Sequence, residues 1–353
     1  MLRVMRAVRY HGRRDVRFED LPRRDPLRDE VTLRVHAVGI CGSDVHEYFS
    51  GPVATSVLPH PLTGVSLPVV LGHEFAGTVV DVGPGVDDVA IGTLVAVEPV
   101  QSCGTCARCR HGRRSLCRQV AFHGLHRDGG GLSEFTVVPR SMVHRVPAGV
   151  SADQAALTEP LAVALRAARR TRAVAGELVV VHGAGPIGIG ALLSLRAAGV
   201  RVAVVDPSPV RRDCAARLGA ELVLDPADDV RDAVHALTDG YGADGSIDAA
   251  GVPSALRSAV TTTRPDGTVV VVALHHERTL PLSAAHLVHG EVLLTGSLAY
   301  TDEFPAVLEL LAAGAYPLDG WVRSIAFERL VPDGFEPLAR QEAIKVLVRV
   351  SEP

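Results

Sequence analysis

Lysine is almost absent from this chain. Lys345 is the only one, and the rest of the 36 basic residues are arginine. A Schiff-base or catalytic-lysine mechanism therefore has almost nowhere to sit. A P-loop is excluded because its lysine is missing. A surplus of one charge is lacking too: the formal net charge is −4, which gives no reason to expect nucleic acid or an acidic surface as partner. Long apolar runs are equally scarce. One apolar uncharged stretch, Leu178 to Leu195, just reaches the ~18 residues of a membrane-span candidate. Glycines and Pro186 crowd its centre, so it reads as a strand, a turn and a helix, and no membrane partner is expected. The N-terminus carries charges every few residues and is not expected to be a secretory signal. A cytoplasmic protein with reduced thiols is expected. Its six cysteines then read as metal ligands or free thiols rather than as a disulfide framework.

The 353 residues exceed one core and imply two domains at roughly 100–200 residues each. Up to about residue 150, glycine, proline and aspartate break up valine-rich runs such as VTLRVHAVGI and GTVVDVGPGV, the texture of an irregular all-β unit. After Glu159, strands alternate with helices: VVVHGAG, IGIGALLSLRAAG, VRVAVVD, VRRDCAARLGA, then GSIDAAG, TVVVVAL and VLLTGS. Such alternation implies an α/β fold, a parallel sheet with helices on both faces. A helix, FPAVLELLAAG, and a final strand, AIKVLVRV, close the chain.

Cys103, Cys106, Cys109 and Cys117 follow the spacing C-x2-C-x2-C-x7-C. Four thiolates this close can wrap a tetrahedral Zn²⁺ and leave it no open position, which makes the site structural. Chance clustering and an iron–sulfur cluster are the competing readings. A second constellation is dispersed: Cys41 in GICGSDVHEY, His73 and Glu74 in VVLGHEFAG, and Glu159 in ALTEPLA. Singly, each has a bland reading as a buried thiol or a satisfied polar group. Together they supply the mixed S/N/O set of a catalytic zinc. Ser43 and His46, just past Cys41, offer a hydroxyl and an imidazole that can pass a proton from an alcohol to solvent; a turn residue and a solvated loop residue are their plain alternatives.

Gly183, Gly185 and Gly188 form G-x-G-x-x-G, with Pro186 and Ile187 inside it, between a valine strand and a helix. In that context the glycines allow a tight turn and close approach of backbone N–H groups to a pyrophosphate. Asp206 lies 18 residues beyond Gly188, near the ~20 of a residue that bonds the ribose hydroxyls. A carboxylate there repels the 2′-phosphate of NADP and favours NAD(H). Arg211 and Arg212 temper that preference, because arginine can hold a phosphate. Asp248 and Gly251 end a later strand on the same carboxyl edge and are expected on the nicotinamide side. Cys214 reads as a buried free thiol.

These motifs, in the order CGSDVH, GHEFAG, the four-cysteine lobe, TEPLA and HGAGPIG, resemble the zinc-containing medium-chain alcohol dehydrogenase family over essentially the whole chain. HEYFSGP, HPLTG, GGGLSEF, GSLAYTDEF and DGFEPL suggest its (R,R)-2,3-butanediol dehydrogenase branch, within the polyol group. The resemblance implies a GroES-like catalytic domain, residues 1–158 and 300–353, with a zinc lobe at about 98–120, and a Rossmann domain at 159–299. It implies two zinc ions per chain and a homodimer or homotetramer. Cys41, His73 and Glu159 would bind the catalytic zinc, with Glu74 a direct or exchangeable ligand, and Ser43 and His46 would form the proton relay. The implied reaction interconverts a secondary alcohol, such as the vicinal diol 2,3-butanediol, and its ketone, acetoin. A sugar alcohol, cyclitol or biosynthetic intermediate is the alternative substrate, and a non-catalytic NAD- and zinc-binding protein the least favoured reading. His123 and His126, in AFHGLHRDGGG, stand where apolar or small side chains are expected.

Overall fold

The computed structural model describes residues 4–277, 279–280 and 282–352. Over those residues the chain folds as two compact units. The first spans Met1–Glu159, Phe304–Ala312 and Val322–Pro353; the second spans Pro160–Glu303 and Ala313–Trp321. The chain thus returns to the first unit in two pieces.

The first unit is built on a seven-stranded sheet. Its central strand, Glu30–Gly39, pairs antiparallel with Glu74–Val82, Phe135–Pro139 and Lys345–Arg349. Nine of its ten residues are buried, which explains why VTLRVHAVG reads as a near-continuous apolar run. Val31, Leu33 and Val35 pack with Phe75, Val79, Val95, Val346 and Val348 in one core. Burial of each such side chain contributes roughly 1.5–3 kcal/mol. The strand ends at Gly39, and Cys41 at once caps the helix Gly42–Ser50. The end of this central strand therefore delivers Cys41, Ser43 and His46 within the first two turns of one helix.

The second unit is a six-stranded sheet, parallel throughout. Its order is Leu222–Leu224, Arg201–Val205, Leu178–His182, Ala243–Asp248, Thr263–Val271, Leu293–Gly296. Read in chain order that is 3-2-1-4-5-6, the doubly wound arrangement. The uncharged run noted in the sequence resolves into the strand Leu178–His182, a glycine turn and the helix Pro186–Ala197. No helix among the described residues is long and apolar enough to cross a membrane. The strand reversal falls between Leu178–His182 and Ala243–Asp248, which places a ligand crevice beyond their carboxyl ends.

Candidate active site

The cysteine lobe is a short excursion. Strands Val100–Gln101 and Ala121–Phe122 pair at its base, and the helix Ala107–Arg110 forms within it. The four sulfurs lie within 4.8 Å of one another. Cys103 and Cys117 stand 3.5 Å apart, Cys106 and Cys109 3.5 Å, Cys103 and Cys109 3.9 Å. A tetrahedron with Zn–S of ~2.3 Å has edges of ~3.8 Å, so the lobe has the dimensions of a single-ion site. That spacing leaves room for one ion and none for a multi-iron cluster. The N–H groups of Cys103 and Gln119 point at the Cys117 sulfur, and that of Cys106 at the Cys103 sulfur. The Cys106 N–H leads in holding the Cys103 thiol down at about 6, helped by Thr105. Burial and the neighbouring sulfurs of Cys106 and Cys117 push Cys109 up to about 11. Thiolates this crowded ionise together only around a cation. This is a four-cysteine structural zinc site.

Cys41, His73 and Glu74 form the second cluster, their ligand atoms also within 4.8 Å of one another. The sheet makes the meeting possible: Gly39 is registered opposite Glu74, and Cys41 follows two residues later. His73 and Glu74 are buried. Asp44, which the sequence analysis passed over, organises the group. One of its oxygens accepts the Cys41 N–H at 3.0 Å. The other faces Nδ1 of His73 at 3.6 Å, and neither of those two atoms has a hydrogen-bond partner among the described residues. A carboxylate at Nδ1 fixes the ring so that Nε2 is the metal-facing nitrogen. Ser43 Oγ stands 3.5 Å from that Nε2. Burial opposes a charge on His73, but Asp44 and Cys41 outweigh it and raise its pKa well above the ordinary value. Such an anionic, buried donor set suits a cation. Glu159, at the start of the helix Thr158–Arg170, is buried but stands outside the mutual Cys41–His73–Glu74 set. His46 is exposed on its helix.

Lys345 is here too. The only lysine is buried, its Nζ bonded to Glu74 Oε2 and, at 2.8 Å, to the Ile40 carbonyl. Counting lysines could not reveal this; the signal available was a lone lysine in the apolar strand AIKVLVRV.

Around the site, Glu47 accepts the backbone N–H groups of Val53, Ala54 and Thr55 and the Thr55 hydroxyl, which pins the loop after the helix. His123 is fully buried, and its Nε2 bonds the Gly129 carbonyl at 2.6 Å and Thr136 at 3.2 Å. Burial holds its pKa down at about 4. His126 is tied by Nδ1 to the Phe122 N–H at 3.2 Å, and burial lowers its pKa. Both histidines are engaged with the backbone of their own segment.

In the second unit, the glycine turn joins Leu178–His182 to the helix Pro186–Ala197, whose N-cap is Gly185. A Cβ on Gly188 would fall 1.8 Å from the Gly183 carbonyl, so only glycine closes this turn. A Cβ on Gly185 would meet nothing within 4 Å, the open space a pyrophosphate requires beside Pro186 and Ile187. Asp206 accepts the Ala184 N–H at 2.7 Å and the Ser208 N–H at 2.8 Å. Arg211 lies 3.9 Å from its carboxylate, whereas Arg212 is bonded to the Asp206 carbonyl and to Asp225. Asp248 is fully buried. It accepts the N–H groups of Ala250 and Gly251, and pairs with His275 at 2.7 Å. Cys214 is buried, and burial raises its pKa.

Residues 27–148 match the alcohol dehydrogenase GroES-like domain, and residues 186–313 match the zinc-binding dehydrogenase domain. The chain is 38% identical over 353 residues to (R,R)-butanediol dehydrogenase of Bacillus subtilis (strain 168), covering 98% of this chain and 99% of that one. The chain belongs to the zinc-containing medium-chain alcohol dehydrogenase family. Among family members, sorbitol dehydrogenase of Bacillus subtilis (strain 168) is 34% identical over 312 residues, 88% of this chain and 86% of that one. The crystal structure of 2R,3R-butanediol dehydrogenase from Bacillus subtilis superposes with a TM-score of 0.92 at 37% identity, covering 98% of this chain and 100% of that one. The two units are accordingly GroES-like and Rossmann-like. This medium-chain dehydrogenase is a zinc-dependent alcohol or polyol dehydrogenase that uses a nicotinamide cofactor and a small alcohol or ketone substrate.

Proposed function

We propose that the protein interconverts a vicinal diol of the 2,3-butanediol type and its ketone, acetoin, with NAD(H) as hydride carrier. The observation that carries this reading is the Cys41–His73–Glu74 cluster in a chain similar along its whole length to a butanediol dehydrogenase. Zinc would be held by Cys41, His73 and Glu159, with the neighbouring Glu74 carboxylate able to exchange onto it, and would supply Lewis-acid activation of the hydroxyl. The chain's own residues do the rest. Asp44 sets the His73 ring. Ser43 Oγ, beside His73 Nε2, takes the alcohol proton, and exposed His46 hands it to water. The turn from Gly183 to Gly188 receives the pyrophosphate, and Asp206 receives the adenosine ribose hydroxyls. The preference for NAD over NADP, a cytoplasmic location and a homodimeric or homotetrameric assembly belong to the same reading.

A polyol such as sorbitol is the second reading, favoured by the likeness to sorbitol dehydrogenase. Purified protein given (R,R)-2,3-butanediol and NAD⁺ should generate NADH absorbance. No turnover with the diol or acetoin, but turnover with sorbitol, would replace the first reading by the second. Loss of turnover and of one zinc per chain on Cys41→Ala would support the ligand assignment; full activity in that variant would overturn it.

A further inference from the structure

Lys345 and Glu74 form an ion pair in which each side chain is only 1% exposed. The pair spans three elements. Ile40 donates its N–H to the Val346 carbonyl, and its own carbonyl accepts from Lys345 Nζ. Ile40 immediately precedes Cys41, and Glu74 immediately follows His73. One ammonium thus ties together both segments that carry the metal-facing side chains. The space for it is made by Gly39. A Cβ there would fall 2.0 Å from Glu74 Oε2 and 3.1 Å from Lys345 Cε. A buried lysine with two partners, both adjacent to ligand positions, is not a generic strand residue: charges this deep persist only when paired and hydrogen-bonded.

We propose that Lys345 is a positioning residue that holds Glu74 back from the catalytic metal. It rests on the reading of Cys41, His73 and Glu74 as a metal site. The carboxylate of Glu74 is near enough to the Cys41 and His73 donors to join them. An ammonium bonded to one oxygen draws charge from the carboxylate and fixes its rotamer, so Glu74 competes weakly for the ion. A coordination position stays open, as a catalytic site requires. The ion also keeps more of its positive charge, since one fewer carboxylate neutralises it. Lys345 acts through Glu74 and need not touch substrate.

The test uses the full-length zinc protein and Lys345→Met. With its partner gone, no other cationic side chain among the described residues is paired with Glu74, so a bound metal would be free to attract it. The catalytic zinc should then pass to a chelator about tenfold more slowly than from the parent, with the four-cysteine zinc as internal reference. In the cobalt-substituted protein the visible bands should weaken as coordination rises above four. The turnover number should fall while NADH binding, read by fluorescence, stays at the parent level. A lysine that merely braces the fold gives the opposite result: a looser site, faster zinc loss and cobalt bands undiminished. That outcome overturns the proposal. Should K345M not fold, Glu74→Gln decides. Glu74 held by Lys345 is not a ground-state ligand, so E74Q should keep the parent cobalt bands and chelator rate; altered cobalt bands in E74Q refute the proposal. Metal analysis of the parent separates the two levels. One zinc per chain refutes the metal site itself, whereas two zinc with fast loss in K345M refutes only the lysine's role.

Discussion

Asparagine at position 206 should erode the discrimination between the two nicotinamide dinucleotides, and alanine at position 211 should sharpen it. Asp206 is 2% exposed and its two oxygens already accept the N–H groups of Ala184 and Ser208. The carboxylate is therefore fixed against the glycine turn, with lone pairs left for ribose hydroxyls. A hydrogen bond to a charged acceptor contributes about 1.5–3 kcal/mol, or roughly 10–150-fold in affinity. NADP presents a 2′-phosphate instead. Two like unit charges ~4 Å apart repel by ~1 kcal/mol in bulk water and ~4 kcal/mol at an effective dielectric of ~20. Arg211, 3.9 Å from the carboxylate, acts with the same scale and opposite sign on that phosphate. Under the proposed NAD(H) reading, the parent's preference is a difference of these two comparable quantities.

Asp206→Asn removes the repulsion and weakens the ribose bonds together. The ratio of kcat/KM for NAD⁺ over that for NADP⁺ should fall by ~2 kcal/mol, about thirtyfold. Most of the change should lie in KM for NAD⁺. Arg211→Ala leaves the carboxylate unopposed and should raise the ratio by about tenfold. Steady-state kinetics with both cofactors at saturating diol measures both ratios, and NADH fluorescence titration separates binding from chemistry. A ratio in D206N equal to the parent's, or a shift toward NADP⁺ in R211A, would refute the electrostatic account.

Asp44→Ala should leave the fold intact but free the His73 ring. Metal affinity or activity should drop about 10–100-fold, checked by zinc retention against a chelator; unchanged retention would show that the 3.6 Å approach to Nδ1 does not orient the ring. Acid should destabilise the fold through its buried histidines. His123 and His182 are held at about 4 by burial, against an ordinary 6.5. Below pH 6.5 the unfolded chain binds protons that the folded chain refuses, so the stability they confer is full above 6.5 and lost toward pH 4. Each contributes about 3 kcal/mol over that window. Denaturant midpoints should fall steeply between pH 6.5 and 4, and less steeply in His123→Leu; a slope unchanged by that substitution would contradict the assignment.

How much of this was legible beforehand follows from sequence separation. The cysteine lobe closes over a few turns of chain, so its spacing already carries its geometry. The glycine turn likewise sits between one strand and the next helix, and periodicity identifies both. The Cys41–His73–Glu74 cluster was legible only through its motifs, because the contact depends on Gly39 registering opposite Glu74 in the sheet. Asp44 was missed although it lies in a quoted motif. Its significance is the direction it faces across to His73, and no local pattern encodes that. His123 stood out as a polar residue where an apolar or small one is expected; the chain accommodates it by folding the ring inward onto the Gly129 carbonyl, a contact no local pattern encodes.

Lys345 is the sharpest case, because composition pointed away from it. A lysine count of one makes a lysine mechanism improbable on average, but a site needs only one. The bias itself becomes informative once the burial is known. Every other Lys/Arg position in this chain is arginine, a broad planar fork that bonds carboxylates in pairs. At position 345 the space is bounded by Gly39, Ile40 and Glu74, and even a single Cβ on Gly39 would collide with the Glu74 carboxylate. A compact ammonium on a flexible stem places one charge there between a Glu74 oxygen and the Ile40 carbonyl, whereas a guanidinium would present a planar fork of five donors. The exception to the arginine bias thus falls at a fully buried cation that bridges the two segments carrying Cys41 and His73.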